Sequence, residues 1–379
     1  MYFDNAATSF PKPECVYRTL DAFMRVSAAN PGRSGHRMAV AAERAIAGAR
    51  QRLARLLNAP DPRRIVWAGN CTAALNLALK GFLRPGDHVV TTQLEHNSVA
   101  RPLRALEAQG VAVSRVPCPL GRFDLAAFLA EIRPETRLAA LTHASNVTGA
   151  VLPVADVAAE CHKRGVRVLV DAAQTAGVLP IDVRAGELDL VAMPGHKSLF
   201  GPPGTGALYI REGLELTPLL EGGTGSQSEL DEQPDVLPDR FEAGTLNSAG
   251  IAALGSAIEW ILETGLPQIR AREDELVVQL WSGLSEIDGL TLYGPPPGPD
   301  RVSAVSFNLA GWEPTDAAAV LDDRFDLQCR PGLHCSPWAH RSLGTFPAGT
   351  VRFSPGYFNT ADEIDASIEA VRQLAASAI

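Results

Sequence analysis

The sequence predicts an α/β protein: a large domain on a mostly parallel, doubly covered sheet, followed by a smaller C-terminal α+β domain. Three observations carry this. Short β-rich apolar runs alternate with helical patterns from residue 64 to residue 210, the rhythm of a parallel sheet covered on both faces. A stretch rich in Gly, Pro and acidic residues, 218–245, then breaks that rhythm and reads as a long functional loop. At 379 residues the chain is too long for one typical core.

Taken in order, RIVWAG (64–69) precedes a helix over about 72–82, and DHVVTTQ (87–93) precedes a helix over about 98–109. VAVSRVP, a helix near 125–132, RLAALTHA and a helix near 154–164 follow, and then VRVLVDAA, LDLVAMP and GALYIR. Beyond the loop, amphipathic helices are expected over 251–263 and 267–286. After the turn-rich GPPPGPD (294–300), the run RVSAVSFNL and a last helix over about 361–376 outline the smaller domain. We therefore expect a large domain over 15–250, and a small one over 251–379 that includes the N-terminal segment 1–14. No internal repeat or low-complexity tail is present.

Net charge is −9 with a pI near 5.4, which leaves no basic footprint for nucleic acid or an anionic membrane. No apolar run reaches the roughly 18 residues that span a bilayer, and MYFDNAATSFPKP has neither a basic start nor an apolar h-region. The expectation is a cytoplasmic protein. Its six cysteines form no CxxC pair, which suits reduced thiols better than a disulfide scaffold or a zinc site.

Two segments concentrate the chemistry. VLVDAAQ places Asp171 and Gln174, and AMPGHKSLFGPPGTG places Lys197, at the C-terminal ends of apolar runs, the edge where open α/β sheets bind ligands. A lysine for a Schiff base and an aspartate facing a pyridinium nitrogen are what pyridoxal phosphate (PLP) requires of its protein. Desolvation of Lys197 would free its amine as nucleophile and base; the bland alternative is a surface lysine. Asp171 alone also reads as a helix cap, and Gln174 either reaches a ring hydroxyl or is an ordinary loop residue.

GNCTAALNLAL opens a helix after a strand, a junction whose N–H groups can cradle phosphate with the Thr72 hydroxyl. LEHNSV sets His96 past a strand end, where its ring can stack on an aromatic cofactor or simply be structural. GPPGTG has no following Lys-Ser/Thr and precedes a strand, so it is not a Walker-type loop. Cys335, beside His334 in a Gly/Pro/Ser-rich loop, is either a reactive thiol or an incidental one. Arg352 in TVRFSPGYFNT is either a clamp on a substrate carboxylate or half of an internal salt bridge.

YFDNAAT, NPGRSGH, LEHNSV, HASNVTG, VDAAQ, GHK, FEAGTLN, RPGLHC and VRFSPGYFNT occur in an order that resembles the class V aminotransferase-fold PLP enzymes, in their cysteine desulfurase and selenocysteine lyase branch. The likeness runs over about residues 2–365. It implies a PLP-dependent transferase of fold type I and a homodimer with shared active sites. Lys197 would carry pyridoxal 5'-phosphate, Asp171 would pair with the ring nitrogen, Gln174 with the ring oxygen, and His96 would stack on the ring. Cys71, Thr72 and His196 would hold the phosphate, with Thr245 donated by the partner subunit. Asn146 and Arg352 would grip the substrate carboxylate. Cys335 matches the nucleophile that takes sulfur from L-cysteine, or selenium from L-selenocysteine, leaving alanine and a persulfide for a thiol or an acceptor protein. Departures are Ala73, where many relatives have an acid, Pro194, where a Ser is common, and the residues flanking Cys335. A pyruvate-forming C–S lyase, a selenocysteine lyase, an amino-acid epimerase and a non-catalytic sulfur-relay protein are the competing readings.

Overall fold

A computed structural model describes residues 1–32 and 35–377. Arg33 and Ser34 of the NPGRSGH motif and residues 378–379 lie outside the described residues.

The chain opens with helices α1 (Glu14–Val26) and α2 (Arg37–Leu56). Alternation then begins: β1 (Ile65–Ala68), α3 (Cys71–Phe82), β2 (His88–Thr92), α4 (Asn97–Glu107), β3 (Ala112–Val116), α5 (Leu125–Ala130), β4 (Thr136–Thr142), α6 (Val154–His162) and β5 (Arg167–Asp171). Strands β6 (Leu190–Pro194) and β7 (Gly206–Ile210) follow without a helix between them. The seven strands form one sheet in the order β1-β7-β6-β5-β4-β2-β3. β2 to β6 run parallel, and β7 is antiparallel to both β6 and β1. The mostly parallel sheet is as expected. Strands β2, β6 and β7 are buried along their whole length, which is why they read as unbroken apolar runs rather than alternating ones.

Helices α7 (Ser248–Thr264) and α8 (Leu266–Ser285) lead to a second, four-stranded antiparallel sheet. It is built from β8 (Leu290–Tyr293), β9 (Val305–Leu309), β10 (Arg330–Gly332) and β11 (Thr350–Phe353) in the order β10-β11-β9-β8. Helices α9 (Pro314–Phe325), α10 (Pro337–Leu343) and α11 (Ala361–Ala376) complete it, α11 starting in a Thr360/Glu363 capping box. Packing moves the expected domain boundary: Ile251, Leu254, Ile258 and Ile261 of α7 belong to the core of the large sheet, and the second core begins within α8 at Leu276. Phe3 packs into that second core, and bridges run from Tyr2 to Gln328 and from Asp4 to Ser354. No described helix is long and apolar enough to cross a membrane.

Candidate active site

The site lies at the C-terminal edge of the large sheet. β5 is its central strand, and Asp171 is the last residue of β5, so the apolar run that buries the strand delivers a carboxylate to the crevice. Asp171 Oδ1 accepts from the Ala173 N–H at 2.9 Å and from Cys71 Sγ at 3.6 Å. Burial raises the Asp171 pKa, opposed by the Ala173 N–H and the Lys197 charge. The neighbouring strand β6 delivers Lys197 three residues past its end. A Cβ at Gly195 would fall 2.0 Å from Thr205 Oγ1, so only glycine lets this loop turn back on β7. The loop is tied down by Ser9 Oγ donating to the Lys197 carbonyl at 2.9 Å. The Lys197 amine faces the crevice with no hydrogen-bond partner among the described residues, and desolvation lowers its pKa.

A second acid, Glu95, is buried behind Asp171. Its Oε1 accepts from Thr92 Oγ1 at 2.6 Å and from the Thr142 N–H at 3.1 Å, and burial pushes its pKa up to about 8. Glu95 is thus neutral at pH 7 and leaves Asp171 as the anion nearest Lys197.

The phosphate cradle forms where β1 turns into α3. The Asn70 side chain caps α3 by accepting from the Ala73 N–H at 2.9 Å, while the N–H groups of Cys71 and Thr72 find no partner among the described residues. Gly206 of β7 permits this approach, since a Cβ there would lie 2.7 Å from the Asn70 carbonyl carbon. The Cys71 thiol points away from the cradle toward Asp171, so its contribution to an anion is its backbone N–H, not its sulfur. Thr72 Oγ1 lies 2.7 Å from Ser98 Oγ, which in turn lies 2.9 Å from His96 Nδ1. The Ser98 N–H also donates to His96 Nδ1 at 3.0 Å, so that nitrogen is an acceptor and the ring proton sits on Nε2. Burial, then the charge of Lys197, lowers the His96 pKa to about 4 and keeps the ring neutral.

His196 is brought to the same crevice, its pKa lowered to about 4 chiefly by burial. Its carbonyl accepts from Lys12 Nζ at 2.8 Å, a half-buried lysine whose own pKa burial lowers to about 8. Gln174 is buried with its amide nitrogen on the Ala6 carbonyl at 3.1 Å, which leaves the amide oxygen for other partners. Thr245 is exposed and bonds to no crevice residue of its own chain. The segment before it is anchored by Glu242, which pairs bidentately with Arg50 at 2.7 and 2.9 Å.

The Cys335 loop hangs over the crevice. His334 and Cys335 adopt left-handed backbone angles, φ 49° and 58°. Such angles in non-glycine residues are costly unless the surroundings enforce them. The enforcement comes largely from Asn146, whose Nδ2 donates to the His334 carbonyl at 2.7 Å and whose Oδ1 accepts from Ser336 Oγ at 2.7 Å. The Asn97 N–H holds the Cys335 carbonyl at 2.7 Å, and His334 stacks on His340, which bonds Thr345. Arg330 Nη2 lies 3.3 Å from Cys335 Sγ and sets a permanent positive charge on the sulfur. Arg352 is fully buried, donating to the Asn146 carbonyl at 2.9 Å and to Asp4 Oδ1 at 2.6 Å, with Nε unpartnered.

The structure therefore gathers Lys197, Asp171, Gln174, His96, Thr72, Cys71, His196, Arg352 and Cys335 around one crevice. In the structure the Asn146 amide braces the Cys335 loop, and the Cys71 thiol faces Asp171 while its N–H, free among the described residues, stays at the helix start. Sequence reasoning missed Arg330, Asp4, Ser98, Lys12 and Glu95, although all but Lys12 sit inside motifs it quoted. The crevice fits PLP on the evidence of its own unsatisfied groups: an unbonded, half-buried amine, a buried carboxylate with no cation hydrogen-bonded to it, and free N–H groups at a helix start.

A parallel sheet with a lysine and an aspartate at its C-terminal edge defines a PLP enzyme of the aminotransferase kind, and the chain belongs to the class V aminotransferase family, which it matches over residues 1–366. Within that family it is 36% identical to a probable cysteine desulfurase of Synechocystis, covering 98% of this chain and 90% of that protein. It is 36% identical to a probable cysteine desulfurase of Methanothermobacter thermautotrophicus, covering 99% and 94%. Among solved structures it resembles the apo cysteine desulfurase of Thermococcus onnurineus, with a TM-score of 0.93, 33% identity, and 99% and 94% coverage. The cysteine desulfurase CsdA (S-sulfonic acid) of Escherichia coli gives a TM-score of 0.90 at 31% identity, covering 100% of this chain and 95% of that one.

Proposed function

We propose that the protein is a PLP-dependent cysteine desulfurase that converts L-cysteine to L-alanine and retains the sulfur as a persulfide on Cys335. The observation that carries this is the Cys335 loop itself: a thiol held in a left-handed turn, its carbonyl bonded by the Asn97 N–H next to His96, with the Arg330 guanidinium 3.3 Å from its sulfur. A lyase or an epimerase needs the lysine and the aspartate but has no use for that thiol.

When bound, PLP supplies an electron sink that makes the Cα proton of an amino acid acidic. The residues of this chain do the rest. Lys197 would hold the cofactor, and its Nζ would accept and return the Cα proton. Asp171 would keep the ring nitrogen protonated, Gln174 would offer its amide oxygen to the ring hydroxyl, and neutral His96 would cover the ring face. The N–H groups of Cys71 and Thr72, the Thr72 hydroxyl and His196 hold the phosphate. Arg352 binds the substrate carboxylate in place of Asp4. Cys335 attacks the substrate sulfur, the C–S bond breaks, and the carbon fragment keeps the electron pair and becomes alanine.

The exposed Thr245 suits donation to a partner's cradle in a homodimer, and six unpaired cysteines suit the cytoplasm. The test is incubation of the holoenzyme with L-cysteine and a thiol, measuring alanine, pyruvate and sulfide. Wild type is expected to give alanine and sulfide, and Cys335→Ala neither, with its cofactor absorbance intact. Pyruvate in place of alanine, or full turnover by Cys335→Ala, would refute the assignment.

A further inference from the structure

Cys335 lines a basin of about 430 Å³ between α3 and α4 that is continuous with the crevice, since Thr72, His96 and Ser98 also form its wall. Its walls carry Lys80, Arg101, Asn76 and Asn97 as well as Cys335, and no carboxylate is among the described residues that line it. Lys80 and Arg101 are exposed and enter no ion pair among the described residues. On a chain of net charge −9, an acid-free basin with two unpaired cations is a local reversal of sign. Its volume falls in the range of small-molecule sites. Cys335 is set in the wall of the basin, half-buried, rather than on a protruding tip that another protein's surface would meet.

We propose that this basin binds the second substrate, a small thiol that carries one or more carboxylates and removes the sulfur from Cys335. The inference rests on the desulfurase reading and names its acceptor class. The incoming thiolate attacks the terminal sulfur of the Cys335 persulfide. A new S–S bond forms to the small thiol as the bond to Cys335 Sγ breaks, Sγ leaves with the electron pair as thiolate, and the acceptor departs as a persulfide that keeps the terminal proton. No net oxidation or reduction occurs. Lys80 and Arg101 hold the carboxylate, with the Asn76 and Asn97 side chains as hydrogen-bond partners.

The experiment uses the holoenzyme loaded with L-cysteine in the absence of thiol, following the alanine burst and the mass of the Cys335 persulfide. Discharge is then timed with 3-mercaptopropionate, 2-mercaptoethanol or cysteamine at equal thiolate concentration. We expect the anionic thiol to discharge Cys335 about tenfold faster than the neutral one, equivalent to about 1.4 kcal/mol, and the cationic thiol to be slowest. The preference should shrink in high salt and disappear in the Lys80→Glu/Arg101→Glu variant, whose alanine burst stays normal. A normal burst followed by charge-blind discharge, a preference that survives in the double variant, or discharge only by a protein thiol overturns this inference alone. Absence of any alanine burst overturns the desulfurase reading and this inference with it.

Discussion

Replacing Asn146 separates two accounts of the residue, because its amide braces the Cys335 loop while its position beside Arg352 also suits substrate binding. In the structure both ends of the amide are engaged, with the His334 carbonyl and Ser336 Oγ, at 2.7 Å each. These buried bonds, roughly 0.5–1.5 kcal/mol each, oppose the cost of two left-handed residues at roughly 1–2 kcal/mol each. Asn146→Ala should therefore shift the loop away from its attacking position by about 2 kcal/mol, a fall of roughly 30-fold in the alanine burst from L-cysteine. Asn146→Asp, which keeps the shape and the Ser336 bond but loses the donor to His334, should fall by less. The assay compares L-cysteine with β-chloroalanine, whose leaving group departs without help from a thiol. Loop bracing predicts that β-chloroalanine turnover by Asn146→Ala stays within about twofold of wild type, well inside the 1.4 kcal/mol that marks a tenfold change. An equal loss on both substrates, with a raised KM for each, would show that Asn146 acts on the substrate carboxylate and would refute the bracing argument.

Ser98→Ala breaks the chain from Thr72 through Ser98 to His96 at the Ser98 hydroxyl, so PLP affinity by equilibrium dialysis should weaken about tenfold and the bound-cofactor absorbance should shift, while Ser98→Thr restores both. An unchanged Ser98→Ala would show that the chain is incidental. Glu95 binds its proton in the folded chain up to about pH 8 but only to 4.5 when unfolded, so between those values its contribution to stability falls as pH rises, by about 1.4 kcal/mol per unit. Glu95→Gln should consequently melt above wild type at pH 8, with the gap closing toward pH 5, as followed by thermal denaturation at the two pH values.

The large sheet was legible because each of its strands is a short β-rich run closed by a turn, and Asp171 and Lys197 stood out as polar residues ending such runs. Helices α1, α2, α9 and α10 were not anticipated. α2 carries charged residues throughout, RMAVAAERAIAGARQRLARL, and its buried face consists largely of alanines, so the usual stripe of large apolar residues is absent. α7 was assigned to the wrong core because helical periodicity reports a buried face without reporting which sheet buries it. The same blindness to tertiary partners explains the site. RPGLHC marked Cys335, but its first residue, Arg330, matters only because β10 pairs with β11 and the loop after β10 folds back to bring Cys335 Sγ within 3.3 Å. Asp4 is some 350 positions from Arg352, and what unites them is a parallel bridge between the first residues and the end of β11, which no spacing rule contains. That pairing also joins the two alternatives the sequence left open for Arg352. The internal salt bridge exists, and under the proposed function a substrate carboxylate would replace Asp4 on the same guanidinium.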